Sequence, residues 1–154
     1  MEIHEKGVVV KIDDEDSHFL KEANWYVLRS KKERKYVVVR KIKNCPIYLH
    51  RLILGVEDRK ILVDHINGDC VDNRRSNLRV CTNAENMRNQ RKSSASKSPY
   101  KGITWIPKNK KWMAQITDDK GKHRYLGSFV DPIEAHAAYC EASKKYHGEF
   151  GRTE

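Results

Sequence analysis

The 154-residue chain is poor in cysteine, and none of Cys45, Cys70, Cys81 and Cys140 forms a Cys-x-x-Cys pair. That absence argues against a zinc knuckle and a redox dithiol, and leaves reduced, structural cysteines as the expectation. No stretch approaches the roughly 20 apolar residues that span a bilayer, and the opening MEIHEKGVVV lacks a basic segment followed by a long apolar one. A cytoplasmic protein with no membrane partner is expected. Internal repeats are absent, and only 38% of the residues are hydrophobic, so any core is modest. Three Trp, seven Tyr and the Val/Ile runs still provide more core than a disordered chain has.

Acidic residues are also in deficit. Lys and Arg number 31 against 21 Asp and Glu, a formal charge of +10, which suits a polyanionic partner such as nucleic acid. The excess is concentrated: between Met87 and Arg124 eleven Lys or Arg face only Asp118 and Asp119, with Tyr100, Trp105 and Trp112 interleaved. Basic charge and aromatics in one stretch fit a nucleic-acid surface better than a generic solvated face.

The local pattern predicts an α+β chain. Strands are expected at 7–12, 25–28, 36–42 and 46–49, with polar turns at 30–35 and 43–44. The acids of DDEDSHFLKEA suit the start of a short helix. A second short helix, LHRLILG, closes on Gly55, and ILVDHI reads as a buried strand running into the turn Asn67-Gly68-Asp69. After the short strand 78–81, Thr82-Asn83-Ala84-Glu85 is a capping box that starts a helix at Asn83 running towards Arg91. RKSSASKS then reads as a flexible linker. Beyond it, strands at 102–105, 111–117 and 124–129 form an antiparallel meander, followed by a helix capped by Asp131, begun by Pro132 and ended by Gly148. Ala135, Ala138, Tyr139, Ala142 and Tyr146 share its sheet-facing side.

One constellation carries chemistry. Asp64 and His65 end a strand, and Asn86 lies about one turn into the capped helix. An Asp carboxylate and an Asn carbonyl are hard oxygen donors suited to one divalent ion, Mg²⁺ or Mn²⁺, while the imidazole stays available for proton transfer. Read singly, Asp64 is a turn acid, His65 a core histidine, and Asn77 and Asn86 ordinary polar residues. Together, in VDHINGDCVDNRRSNLRVCTNAENMRN, they resemble the ββα-metal finger of phage-type HNH homing endonucleases. The resemblance implies His65 as general base, Asn77 as the residue orienting it, and Asp64 and Asn86 as metal ligands. Asn86 departs from the His found there in other HNH enzymes. His50 of LHRL also matches a recurrent family position, with packing and a supporting or phosphate contact as the alternatives. His4, His18, His123, His136 and His147 are read as surface or structural.

From Ser98 onward, Tyr100-Lys101-Gly102, Lys111-Trp112, Leu126-Gly127-x-Phe129 and residues 135–139 resemble the APETALA2 or ethylene-response-factor DNA-binding domain. That resemblance implies DNA contacts through the sheet, here at Lys101, Trp105, Lys108, Lys111, Trp112, Gln115, Lys122 and Arg124. Thr104, Ile106 and Thr117 stand where the plant pattern commonly has Arg, which removes strong guanine readers. The bland alternative makes Trp112, Tyr125 and Phe129 core residues.

The expectation is therefore a ββα-metal (HNH) finger with a small β-rich N-terminal subdomain, followed by a three-stranded antiparallel sheet on one helix. Residues 1–92 would form the nuclease module, with the finger at about 60–92, 93–98 the linker and 99–150 the APETALA2-like domain. The implied activity is hydrolysis of double-stranded DNA to 5′ phosphate and 3′ hydroxyl, with a monomer nicking. The location would be the host cytoplasm if a phage encodes the chain. The rival is a non-catalytic DNA-binding regulator that uses its C-terminal domain.

Overall fold

The computed structural model describes all residues except 1, 6, 30–35, 44 and 94, with backbone alone at 2–5. The expected turn at 30–35, Asn44 of the next turn and Ser94 of the linker lie outside the described residues. The chain divides into two compact units, 1–83 and 84–154.

The first unit opens with a hairpin of β1 (Glu2–Glu5) and β2 (Val8–Lys11); the sequence pattern shows only the second strand. The acids at 14–16 form a 3₁₀ turn, and α1 (His18–Lys21) follows. Strands β3 (Tyr26–Arg29), β4 (Tyr36–Ile42) and β5 (Cys45–Tyr48) make an antiparallel sheet with β4 central. The helix α2 (Leu49–Ile53) buries Leu49 and Ile53 in the core that Val10, Ile12, Leu20, Val27, Val38, Val71 and Leu78 complete. Burial of these aliphatic side chains, worth about 1.5–3 kcal/mol each, is the main force holding so small a unit together. Strands β6 (Leu62–His65) and β7 (Leu78–Cys81) pair antiparallel, with Asp64 opposite Arg79 and His65 opposite Leu78.

The connection between β6 and β7 is fixed at both ends and in the middle. Ile66 N–H donates to the Asn77 carbonyl, closing its base, at 2.9 Å. Lys11 N–H reaches Val71 O and Asn73 N–H reaches Lys11 O, at 2.9 and 2.8 Å, so the loop runs alongside β2. Arg75 locks it to the N-terminal acids: its guanidinium grips Asp16 at 2.7 and 2.8 Å, and its backbone N–H reaches Asp13 at 2.7 Å. Buried backbone polar groups need such partners, and here the loop finds them in a distant segment.

The unit boundary falls just after the first residue of α3 (Asn83–Arg88), ahead of the expected linker at 93–98. Strands β8 (Ile103–Ile106), β9 (Lys111–Thr117) and β10 (His123–Phe129) form an antiparallel sheet with β9 in the middle. The helix α4 (Pro132–His147) is capped by Asp131, which accepts the Ile133 N–H at 2.8 Å. Ala114, Ile116 and Leu126 of the sheet meet Ala135, Tyr139 and Ala142 of α4. A bulge between Tyr125 and Gly127 shifts the register of β10 and lets Leu126 reach that core. Among the described residues no helix is long and apolar enough to cross a membrane.

Candidate active site and nucleic-acid surface

His65 ends β6 with 5% of its surface exposed, and its Nε2 lies 3.3 Å from Asn73 Oδ1. Asn73 is itself fully buried, and its Nδ2 donates to Val71 O at 3.1 Å, which assigns the amide oxygen to the histidine side. An oxygen acceptor requires Nε2 to carry the hydrogen, so the neutral ring keeps its lone pair on Nδ1. Burial pushes the His65 imidazole below its ordinary range, against the opposing pull of the Asn73 bond and of Asp64, Asp69 and Asp72. The ring is therefore held in its neutral form at neutral pH.

Asn77, expected to orient His65, is occupied elsewhere. Its Oδ1 accepts the Asn67 N–H at 2.9 Å and its Nδ2 donates to Asp72 O at 2.7 Å. It pins the turn that follows His65 from inside. Asp72, gripped by Arg74 at 2.7 and 2.8 Å and by Asn67 Nδ2 at 3.0 Å, completes this pin, and Arg74 holds its carboxyl below the usual carboxylate range. Sequence reasoning misses Asn73 because one Asn in Asp-Asn-Arg looks like any polar turn residue. Its approach to His65, inside a closed loop, is a tertiary fact.

Asp64 is buried beside Arg79, whose Nη2 and Nε both approach Oδ2, at 3.0 and 3.2 Å. Asn86 lies on α3 in the second unit, half-buried, with no hydrogen-bond partner for its carboxamide among the described residues. A carboxylate and an amide oxygen are each hard donors of the kind a divalent cation takes, and these two residues belong to different units of the chain. Among the described residues, the acids whose oxygens converge are Asp13, Glu15 and Asp16. Arg75 occupies that cluster, which makes it the clamp of the loop rather than a cation site.

His50, on α2, places its ring 5.1 Å from that of His65, edge to face. Its Nδ1 is buried without a hydrogen-bond partner among the described residues. Burial, then the neighbouring His65 and Arg51, lower its pKa to about 3. His50 is thus a neutral ring packed edge to face against His65.

In the second unit, β9 sends Ala114 and Ile116 towards α4 and exposes Lys111, Gln115 and Thr117 on the other face. Tyr125 stands opposite Gln115 and His123 opposite Thr117, so the exposed face continues across β10. Lys108 and Lys122 are exposed in the adjoining turns. Tyr125, 67% exposed, belongs to this face and not to the core, while Phe129 packs against Ile103, Ala114 and Ala135. Trp112 is half-buried in that same cluster, and Trp105 packs on it at 5.1 Å while remaining 41% exposed. Arg124 is exposed, but its Nε is held by Asp118 at 2.8 Å. Lys101 is turned to another use: its Nζ donates to Arg88 O at 2.8 Å and Gln90 O at 2.6 Å.

Comparison with known proteins bears on the first of these surfaces. Protein 3.8 of Escherichia phage T7 is 27% identical over 90 residues, covering 58% of this chain and 73% of the phage protein. No solved structure matches the chain. Residues 48–88 match the HNH endonuclease family, and this segment contains His50, Asp64, His65, Asn73, Asn77 and Asn86.

Proposed function

We propose that the chain is a metal-dependent HNH DNA endonuclease of the homing type, cutting one strand as a monomer and directed by an APETALA2-like second module. The observation that carries this reading is the state of His65: buried, neutral, its tautomer fixed by Asn73, and adjacent to Asp64 within the HNH-matching segment. In this role His65 Nδ1 takes the proton of the attacking water while Nε2–H stays on Asn73 Oδ1. The buried amide stops the ring from turning and stabilises the imidazolium that forms. Asp64 and Asn86 would hold one Mg²⁺ or Mn²⁺, which supplies electrostatic relief of the phosphate charge and of the departing 3′ oxygen. A three-stranded sheet backed by one helix, with Lys111, Gln115, Thr117 and Tyr125 exposed on its open face, supports the DNA-binding role of the second module.

The test is incubation of supercoiled plasmid and of phage and host genomic DNA with Mg²⁺ or Mn²⁺. Conversion to the nicked form is expected, and His65→Ala should abolish it while leaving DNA affinity within about threefold. No change in topology with either metal on any substrate would favour the DNA-binding regulator instead.

A further inference from the structure

The helix α3 carries the proposed ligand Asn86, yet the groups that hold its C-terminal end come from the sheet module. A helix leaves its last carbonyls without intrahelical partners, and a helix of only six residues has little stability of its own. Beyond Arg88 the chain makes one more turn, with Asn89 N–H bonded to Glu85 O and Gln90 N–H to Met87 O. Lys101 meets the carbonyls of this turn, at Arg88 and Gln90. Arg152, from the C-terminal tail and only 8% exposed, donates its Nε–H to Asn89 Oδ1 at 3.2 Å. Arg88 returns a bond to Asp119 O at 3.3 Å.

The backbone of Lys101 is anchored in turn. Lys101 O lies 3.1 Å from His136 Nδ1 of α4, and the next residue, Gly102, lies against the Tyr139 ring. An ammonium placed on two carbonyls and half withdrawn from solvent is poorly used as a phosphate contact. Burial, with nearby Arg152, lowers its pKa to about 8, as such confinement requires.

We infer that Lys101 and Arg152 are positioning residues for Asn86: they hold the C-terminal end of α3 and make the sheet module a structural support of the proposed ligand. This rests on the nuclease reading above. It joins two roles that the sequence assigns to two modules, since loss of the sheet would then impair chemistry as well as targeting.

The test uses full-length Lys101→Met and Arg152→Gln, with Arg152→Lys as the conservative variant. Three quantities are read: Mn²⁺ binding without DNA by electron paramagnetic resonance, amide exchange across residues 86–90, and the metal dependence of single-turnover cleavage. Both variants should weaken Mn²⁺ binding by about tenfold or more and speed exchange in α3, with cleavage recovering at high metal, while Arg152→Lys stays within about threefold of the parent. Exchange in β9 and α4 controls for folding, and if Lys101→Met loses that protection the Arg152 pair decides. Wild-type protein that binds no Mn²⁺ sinks the nuclease reading and this inference with it. Wild-type binding that neither variant alters, with α3 exchange unchanged, sinks the inference alone. Weaker DNA binding at unaltered Mn²⁺ affinity makes these residues phosphate contacts and also overturns it.

Discussion

At the scale of single residues, the two loop asparagines divide orientation from folding. Asn73 touches the proposed base, whereas Asn77 satisfies a backbone N–H and a backbone C=O within the turn. Asn73→Ala should therefore lower the single-turnover rate, though less than His65→Ala, and also cost stability because its two hydrogen bonds are buried. Asn77→Ala should remove its bonds to the Asn67 N–H and to the buried Asp72 carbonyl, with the smaller effect on rate, and cost about 1–3 kcal/mol in denaturant unfolding. Equal rate losses in the two folded variants would contradict this division. His50 gives a second expectation. Its pKa of about 3 in the fold lies below the ordinary imidazole value of 6.5, so below pH 6.5 the unfolded chain takes up a proton that the folded one refuses. The stability this ring contributes is complete above that value and is lost as pH falls towards 3, by up to about 1.4 kcal/mol per unit. His50→Phe should flatten the stability curve between pH 7 and pH 4 relative to the parent, measured by urea unfolding. An unchanged slope would mean that His50 is protonated in the fold.

At the scale of elements, the sheet and α4 approach closely at one point. Gly102 has φ +78° at the start of β8, and a Cβ there would fall 2.0 Å from the Tyr139 ring. Both the left-handed backbone and the lack of space demand glycine. Gly102→Ala should destabilise the second unit by about 2–4 kcal/mol, from backbone strain and overpacking together. Near-ultraviolet circular dichroism during thermal unfolding reads this through the Trp105 and Trp112 signals, and an unshifted transition would show that α4 can move aside. The same packing explains why β9 is legible in sequence: Trp112, Ala114 and Ile116 alternate with Lys111, Met113, Gln115 and Thr117, the period of a half-buried strand. The bulge at Tyr125 is not legible, because an extra residue in a strand leaves no periodic signature until the partner strand sets the register.

At the scale of the molecule, the charge of +10 makes salt dependence the natural measure of the proposed DNA binding. Each phosphate that a variant no longer neutralises should reduce the slope of log affinity against log salt by roughly 0.9 on duplex DNA. Lys111→Gln and Lys122→Gln, at exposed positions, should each show such a reduction. Lys101→Met should leave the slope unaltered, because its ammonium is already held by two carbonyls. Fluorescence anisotropy across a salt series distinguishes them, and a reduced slope for Lys101→Met would return that residue to the DNA surface.

The sequence by itself determined the parts whose signals are local. The start of α3 at Asn83, the Asp131 cap and the inward face of α4 all follow from side-chain period and capping chemistry within a few residues. So does the basic balance, which is a property of composition. The tertiary structure alone decided which carboxamide meets His65, what Asp13 and Asp16 are for, and where Lys101 spends its charge. Each depends on a partner distant in sequence: Asp16 meets Arg75, and Lys101 and Arg152 meet the turn after α3. Local pattern records what a residue can bond to. Chain closure selects the bond, since a buried polar group must take whichever partner the folded backbone brings within reach.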